Sequence, residues 1–297
     1  MRLAAVLPLV LLAGCGSRPA APVGVAVNPA LASLVPADAT FLAGADLTRI
    51  RNSPLFAKYL PELLKRGEAR SGGDLLDYHE QLEEVIAAST GGRYLVVARG
   101  RFDREAIEKR LREEKLEAWS YHGKAGFRRD GMGFVFLTND LAMAGPEAEL
   151  QASARRFGQE AAMPARFVKS LQSMPSDVAF WAVTIGMPSL PDVPPRSNLA
   201  NLPKLLQGVE LGTLHGRLED GFRLGANASC ASQDDAREIE TALKGMIGIA
   251  RLSAPNGKPE LLRAFDGIKV EQSGTDVRLE ANLPAETIEA LRGMAGR

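Results

Sequence analysis

The side chains able to do chemistry are few and scattered: two cysteines, Cys15 and Cys230, and three histidines, His79, His122 and His215, in 297 residues. No histidine has a second His or Cys at the spacing of a zinc site, so neither a metal nor a cofactor is expected. His79, in Asp77-Tyr78-His79-Glu80, reads as part of a solvated helix face. His122 and His215 each precede a glycine in a strand-like run. They gain interest only if two similar halves pack symmetrically and bring them, with Asp46, into one cleft. The serine-hydrolase elbow Gly-x-Ser-x-Gly is absent, as are Ser-x-x-Lys and Gly-x-Gly-x-x-Gly. Asn256-Gly257-Lys258 lacks the upstream glycine of a phosphate loop. The acidic pairs Glu83-Glu84, Glu113-Glu114 and Asp234-Asp235 are expected on helices or at caps, where neighbours in sequence do not face each other. They therefore do not resemble the paired carboxylates of acid–base catalysis. No catalytic residue is assigned, and the expectation is a protein that is not an enzyme.

Cys15 is the residue with a definite context. A basic start, Met1-Arg2, leads into an apolar run from Leu3 to Leu12. That run is too short to cross a bilayer, which takes ~20 residues, but it has the build of a secretory signal. It closes on Leu12-Ala13-Gly14-Cys15, which resembles the lipobox of bacterial lipoproteins. The resemblance implies that the Cys15 thiol takes a diacylglycerol, that residues 1–14 are removed, and that the new amino group is acylated. Gly16, rather than an aspartate, follows, and in that family this favours the outer membrane, facing the periplasm. Lipidation would leave Cys230 without a disulfide partner. Cys230 ends an alternating run from Phe222, and the nearby Asp234 and Asp235 argue against a reactive thiol, so a buried strand-end cysteine is expected.

Composition narrows the class further. Lys+Arg and Asp+Glu both number 36, so no overall field attracts nucleic acid. Basic and acidic residues alternate along Arg104–Arg112 as in a solvated helix, and aromatics, at 6%, are too few for a base-stacking platform. The hydrophobic fraction of 45% supplies a sizeable core, yet no later stretch reaches bilayer length. Attachment would rest on lipid alone, with residues 15–28 as lipidated cysteine and flexible tether.

The elements follow from pattern and punctuation. Helices are expected at Pro29–Ser33, from Ser53-Pro54, over Asp74–Ser89, over 104–117 behind an Asp103 cap, and from Pro146 to Gly158. Strands are expected after Pro36, at Tyr94–Ala98, around the Asp130-Gly131 turn, and at Leu141–Ala144. The pattern then restarts. Val35-Pro36-x-Asp38-x-x-Phe41-x-Ala43 recurs as Met174-Pro175-x-Asp177-x-x-Phe180-x-Ala182. A hairpin turning on Asp220-Gly221, a helix over Asp234–Arg251, a hairpin turning on Ser273-Gly274 and a helix over Pro284–Met294 complete the second part. Both tryptophans, Trp119 and Trp181, are read as core. The frame suggests an internal duplication of a unit of about 140 residues.

The fold expected is therefore α+β: two similar halves, 29–158 and 159–297, each an antiparallel sheet of hairpins covered by helices on one face. The halves could share one sheet or pack face to face. Their strand openings are similar to those of duplicated α+β envelope proteins of unknown activity, a likeness that implies no chemistry. The function expected is a periplasmic lipoprotein, held to the membrane through Cys15, that binds or scaffolds another envelope protein. Oligomeric state is left open. The rival readings are a carrier of lipid or another apolar ligand, and an enzyme assembled from distant residues around the proline-dense 186–203 loop.

Overall fold

The recurring Pro-x-Asp frame folds the same way twice and sets the centre of the molecule. In the computed structural model, which describes residues 24–59, 80–121, 123–159, 163–186, 206–252, 254 and 259–289, each copy turns after its proline and enters a strand at its phenylalanine. These strands are β1 (Phe41–Asp46) and β8 (Phe180–Ile185). They pair antiparallel, and the alanines of the frame, Ala43 and Ala182, are Cα partners. A two-fold relation between the strands thus passes through that pair. The outer contacts repeat as well. Thr40 N–H donates to the Ser89 carbonyl and Ala179 N–H to the Gly216 carbonyl, at 2.9 and 2.7 Å.

The sheet grows outward from this pair in both directions. The first half adds β2 (Leu82–Thr90), β3 (Arg93–Gly100), β4 (Glu117–Tyr121), β5 (Lys124–Arg129), β6 (Met132–Phe136) and β7 (Leu141–Pro146). The second adds β9 (Val209–Leu218), β10 (Gly221–Cys230), β11 (Ile268–Ser273) and β12 (Asp276–Pro284). Together they make one continuous antiparallel sheet of twelve strands in the order β11-β12-β10-β9-β8-β1-β2-β3-β7-β6-β5-β4. The chain is thus α+β, and its halves share a sheet rather than packing face to face.

Helices cover both faces of the sheet, not one. On the first face, α1 (Pro29–Ala32), α5 (Glu147–Arg156) and α6 (Ala165–Gln172) close the main core. Strand alternation sends Leu42, Ile86, Ala88, Leu95, Val97, Met143 and Val183 to that side, where Leu31, Leu150 and Phe167 meet them. Each such side chain except Ala88 contributes ~1.5–3 kcal/mol on burial. On the second face, α4 (Arg104–Glu113) covers Phe136 and Ala142, and α7 (Gln233–Leu252) with α8 (Pro259–Asp266) covers the outer strands of the second half. Asn28 caps α1 and Asp103 caps α4, each through its side-chain oxygen.

Several sequence expectations fail for identifiable reasons. Residues 82–90 form β2, not the end of a helix. The apolar spacing there suits either period, and pairing with β1 and β3 on both sides decides it. The helix after Asp103 stops at Glu113, because Lys115 takes a positive φ of 62° and Glu117 opens β4. Two short helices were not anticipated: α2 (Leu47–Asn52), capped by Asp46, and α8. Of the stretch read as a flexible tether, residues 24–28 are docked. Val25 N–H donates to Leu171 O at 2.9 Å, Val25 and Val27 pack on the core, and Asn28 N–H donates to Glu84 Oε1 at 3.3 Å. The helix begun at Ser53-Pro54 is seen over 54–59 (α3), with the Ser53 hydroxyl accepting from Phe56 N–H at 3.1 Å. Pro284 ends β12, and the helix following it is described over 285–289 (α9). The remaining residues of these two helices, and residues 74–79, lie outside the described ones.

Candidate functional site

In the second half, the first face of the sheet is left open among the described residues. Strand alternation that delivers apolar side chains in the first half here delivers Thr213, His215 and Arg217 from β9, Arg223, Gly225 and Asn227 from β10, and Arg278, Glu280 and Asn282 from β12. The helix α6 stands over them. Its apolar side, Phe167 and Leu171, goes into the core, and Arg166, Lys169 and Ser173 border the opening. The result is a groove of about 1650 Å3 with the sheet as floor and α6 and the turn to Pro175 as one wall.

The floor carries its charges in a defined pattern. Register places Lys269 opposite Glu280 and Glu271 opposite Arg278, two pairs of unlike sign. It also places Arg217 directly opposite Arg223. Like charges opposite each other destabilise a sheet, and each arginine has an acidic neighbour at the rim. Arg217 bonds Asp177 at 3.0 Å, and Arg223 lies 3.8 Å from Glu219. Burial works to raise the Asp177 carboxyl, but the bond and charge of Arg217 outweigh it, and its pKa falls below the usual range. His215 lies between these arginines and the unlike pairs. Its ring covers Gly225, where a Cβ would overlap it. Burial first, and the Arg217 charge second, lower its pKa, so it is neutral at pH 7. Its Nδ1 is buried with no hydrogen-bond partner among the described residues.

Of the described residues among Asp46, His79, His122 and His215, only His215 lines this groove. Asp46 caps α2, accepting from Arg49 N–H at 2.8 Å, and does not line the groove. His79, His122 and residues 187–205 of the proline-dense loop lie outside the described residues. Tyr121 ends β4 at the sheet edge, eight strands from β9. Cys230 ends β10 as a buried thiol, its pKa raised by burial and then by Asp235, Asp276 and Glu210. Trp181 is core at 6% exposure, and Trp119 packs partly buried against the same cluster.

The acidic pairs divide. Asp235 sits in a reciprocal cap, its N–H donating to the Ser232 hydroxyl at 3.1 Å while that hydroxyl donates to Asp235 Oδ2 at 2.6 Å. Glu113 and Glu114 lie at the end of α4. Glu83 and Glu84 are on a strand, contrary to expectation, and both reach Arg99. Glu84 is raised in pKa by burial against the lowering effects of Asn28 N–H and Arg99. Among the described residues no three His, Cys, Asp or Glu side chains gather as metal ligands. Sequence reading missed the Arg217–Arg223 opposition, although the Asp220-Gly221 turn held the signal. Once Leu218 pairs with Phe222 across that turn, Arg217 must face Arg223.

No protein-family model matches this chain, and no curated protein matches it. Solved structures do. The chain has the fold of TP0453. It matches crystal form III at a TM-score of 0.56 over 89% of this chain and 96% of that one. Crystal forms I and IV match at 0.53, each over 90% of this chain and over 97% and 96% of theirs. Sequence identity is 10% in every case, so the likeness is one of fold.

Proposed function

We propose that this chain is a lipid-anchored protein of the bacterial cell envelope, held at the outer membrane on its periplasmic side, that works without catalysis as a binding or scaffolding module. The observation that carries the reading is Cys15, placed directly after a secretory signal and only a few residues before a docked, folded body. No helix among the described residues is long and apolar enough to cross a membrane, which agrees with attachment by acyl chains. Two or more such chains hold a protein stably where one does so only marginally. The binding role is supported by the open groove, whose lining of charged and amide side chains suits a polar partner better than an apolar cargo. The repeated frame, with its alanines paired at the centre of the sheet, supports reading the two halves as an internal duplication.

The test is fractionation of cells producing the wild type and Cys15→Ala. Wild type is expected with the membranes and Cys15→Ala in the soluble periplasmic fraction. Equal membrane retention of both, or an unmodified Cys15 thiol by mass spectrometry of the wild type, would refute the anchor.

A further inference from the structure

We propose that the groove takes the phosphate of an anionic lipid headgroup in the same membrane to which Cys15 ties the chain. The proposal rests on the anchored reading above and adds a partner to the groove. Its first support is position. Only residues 16–23 separate Cys15 from Gly24, and fully extended they reach about 30 Å. Gly24 is buried against the Gln172 backbone, and Val25 bonds Leu171 O. These are the last residues of α6, and the chain that follows, Ser173 to Pro175, lines the groove. The anchor therefore leads to the groove wall, and the groove cannot lie far from the headgroups.

The second support is charge. The side nearest α6 presents Lys169, Arg217 and Arg223 against the single lining acid Glu210 of β9, while Glu271, Asp276 and Glu280 lie on β11 and β12, where Arg278 and Lys269 oppose Glu271 and Glu280. Lys169 makes no ion pair among the described residues. Arg217 and Arg223 stand opposite each other at a cost in sheet stability that an anion between them would offset. Both side chains also meet rim acids, Asp177 and Glu219, and a guanidinium fork released from its rim acid matches the oxygens of a phosphate, which it can hold through paired N–H donors. The chain as a whole is neutral, so any preference for anionic membrane must come from such a local cluster and not from net charge.

The test uses the full chain with Cys15→Ala, so that no acyl chain contributes, sedimented with vesicles of phosphatidylcholine alone or mixed with phosphatidylglycerol. The readout is the difference in affinity between the two vesicles. Preference for the anionic vesicle is expected, lost by roughly 30-fold when Arg217→Gln and Arg223→Gln are combined. It should be unchanged by Lys109→Gln on α4. Glu280→Gln, which removes a negative charge from the floor, should strengthen binding, a gain that misfolding cannot mimic. Equal binding to both vesicles, or a preference indifferent to the arginine pair, would overturn the proposal. So would binding of inorganic phosphate without vesicle binding, which would assign the site to a free anion. Loss of the anchor reading shows separately, as wild type absent from cell membranes.

Discussion

The two halves of the sheet present the same face to opposite fates. In the first half, α1, α5 and α6 seal it over Leu42, Ile86, Leu95, Val97 and Met143, all under 5% exposed. In the second half the same face, reached by the same frame and the same strand alternation, carries Thr213, His215, Arg217, Arg223, Arg278 and Glu280 under open space. The backbone plan does not choose between core and groove; the side chains at alternate positions do. Helix placement follows that choice. The second half sends its long helix, α7, to the other face, where Val209, Ala236, Ile239, Val270 and Val277 make a smaller core.

The contrast can be broken most sharply at α6, a helix shared by core and groove. Phe167 is fully buried on its core side, so Phe167→Ala should cost about 3–5 kcal/mol in denaturant titration. Arg223→Ala, on the groove floor, should stay within about 0.5 kcal/mol. A comparable loss at both positions would mean that the groove is packed like a core.

Two glycines sharpen the comparison. The Trp181 ring lies over Gly44 at the centre of the sheet, and the His215 ring lies over Gly225 at the groove. A Cβ at either position would overlap the ring, but Trp181 is hemmed in by the core while His215 can swing into the groove. Gly44→Ala is expected to destabilise by about 1–3 kcal/mol. Gly225→Ala should cost less than about 1 kcal/mol, read as a shift in thermal midpoint. A smaller difference is expected at Ser153, which donates to Leu34 O at 3.2 Å and accepts from Arg156 at 2.7 Å beneath the closed half. Ser153→Ala should lose about 1 kcal/mol.

The smallest effects are in pH dependence, and the halves differ in sign. Glu84, in the closed half, has a folded pKa raised above 4.5. Its carboxyl favours folding while protonated, and that contribution is lost as pH rises from 4.5 through the raised value. His215, in the open half, has a folded pKa lowered below 6.5. The unfolded chain binds its proton first, so stability declines as pH falls from 6.5 through the lowered value. Unfolding midpoints across acid pH should flatten in the lower window for Glu84→Gln and in the upper window for His215→Gln. Matching profiles for wild type and His215→Gln would show that the ring is solvated.

Much of this was legible beforehand where the signal is local. Prolines, caps and turn pairs located α1, α4, α5 and the hairpins. Cys230 falls at a buried strand end as expected, because alternation is read along one strand. Residues 82–90 were misread because a central strand covered on both faces has no clean period of two, and its neighbours in the sheet are far away in the chain. Asp46 is in the sequence a group of interest only if it meets His122 and His215, and in the structure it caps a six-residue helix that propensity does not announce. The arginine pair was within reach of the sequence through the hairpin register, but nothing in the chain tells which face of that hairpin stays open.

By itself the sequence determined the α+β class and the recurring frame, and it carries a lipobox-like stretch at Leu12–Cys15 but none of the catalytic motifs named above. Each is written in residues a few positions apart, where covalent geometry and local hydrogen bonding govern. The tertiary structure alone decided that β1 meets β8 through Ala43 and Ala182, that helices cover both faces, and that one half of a face is sealed while the other forms a groove. Those outcomes depend on pairing and burial between segments distant in the chain, where many partners satisfy the same local pattern and only packing selects among them.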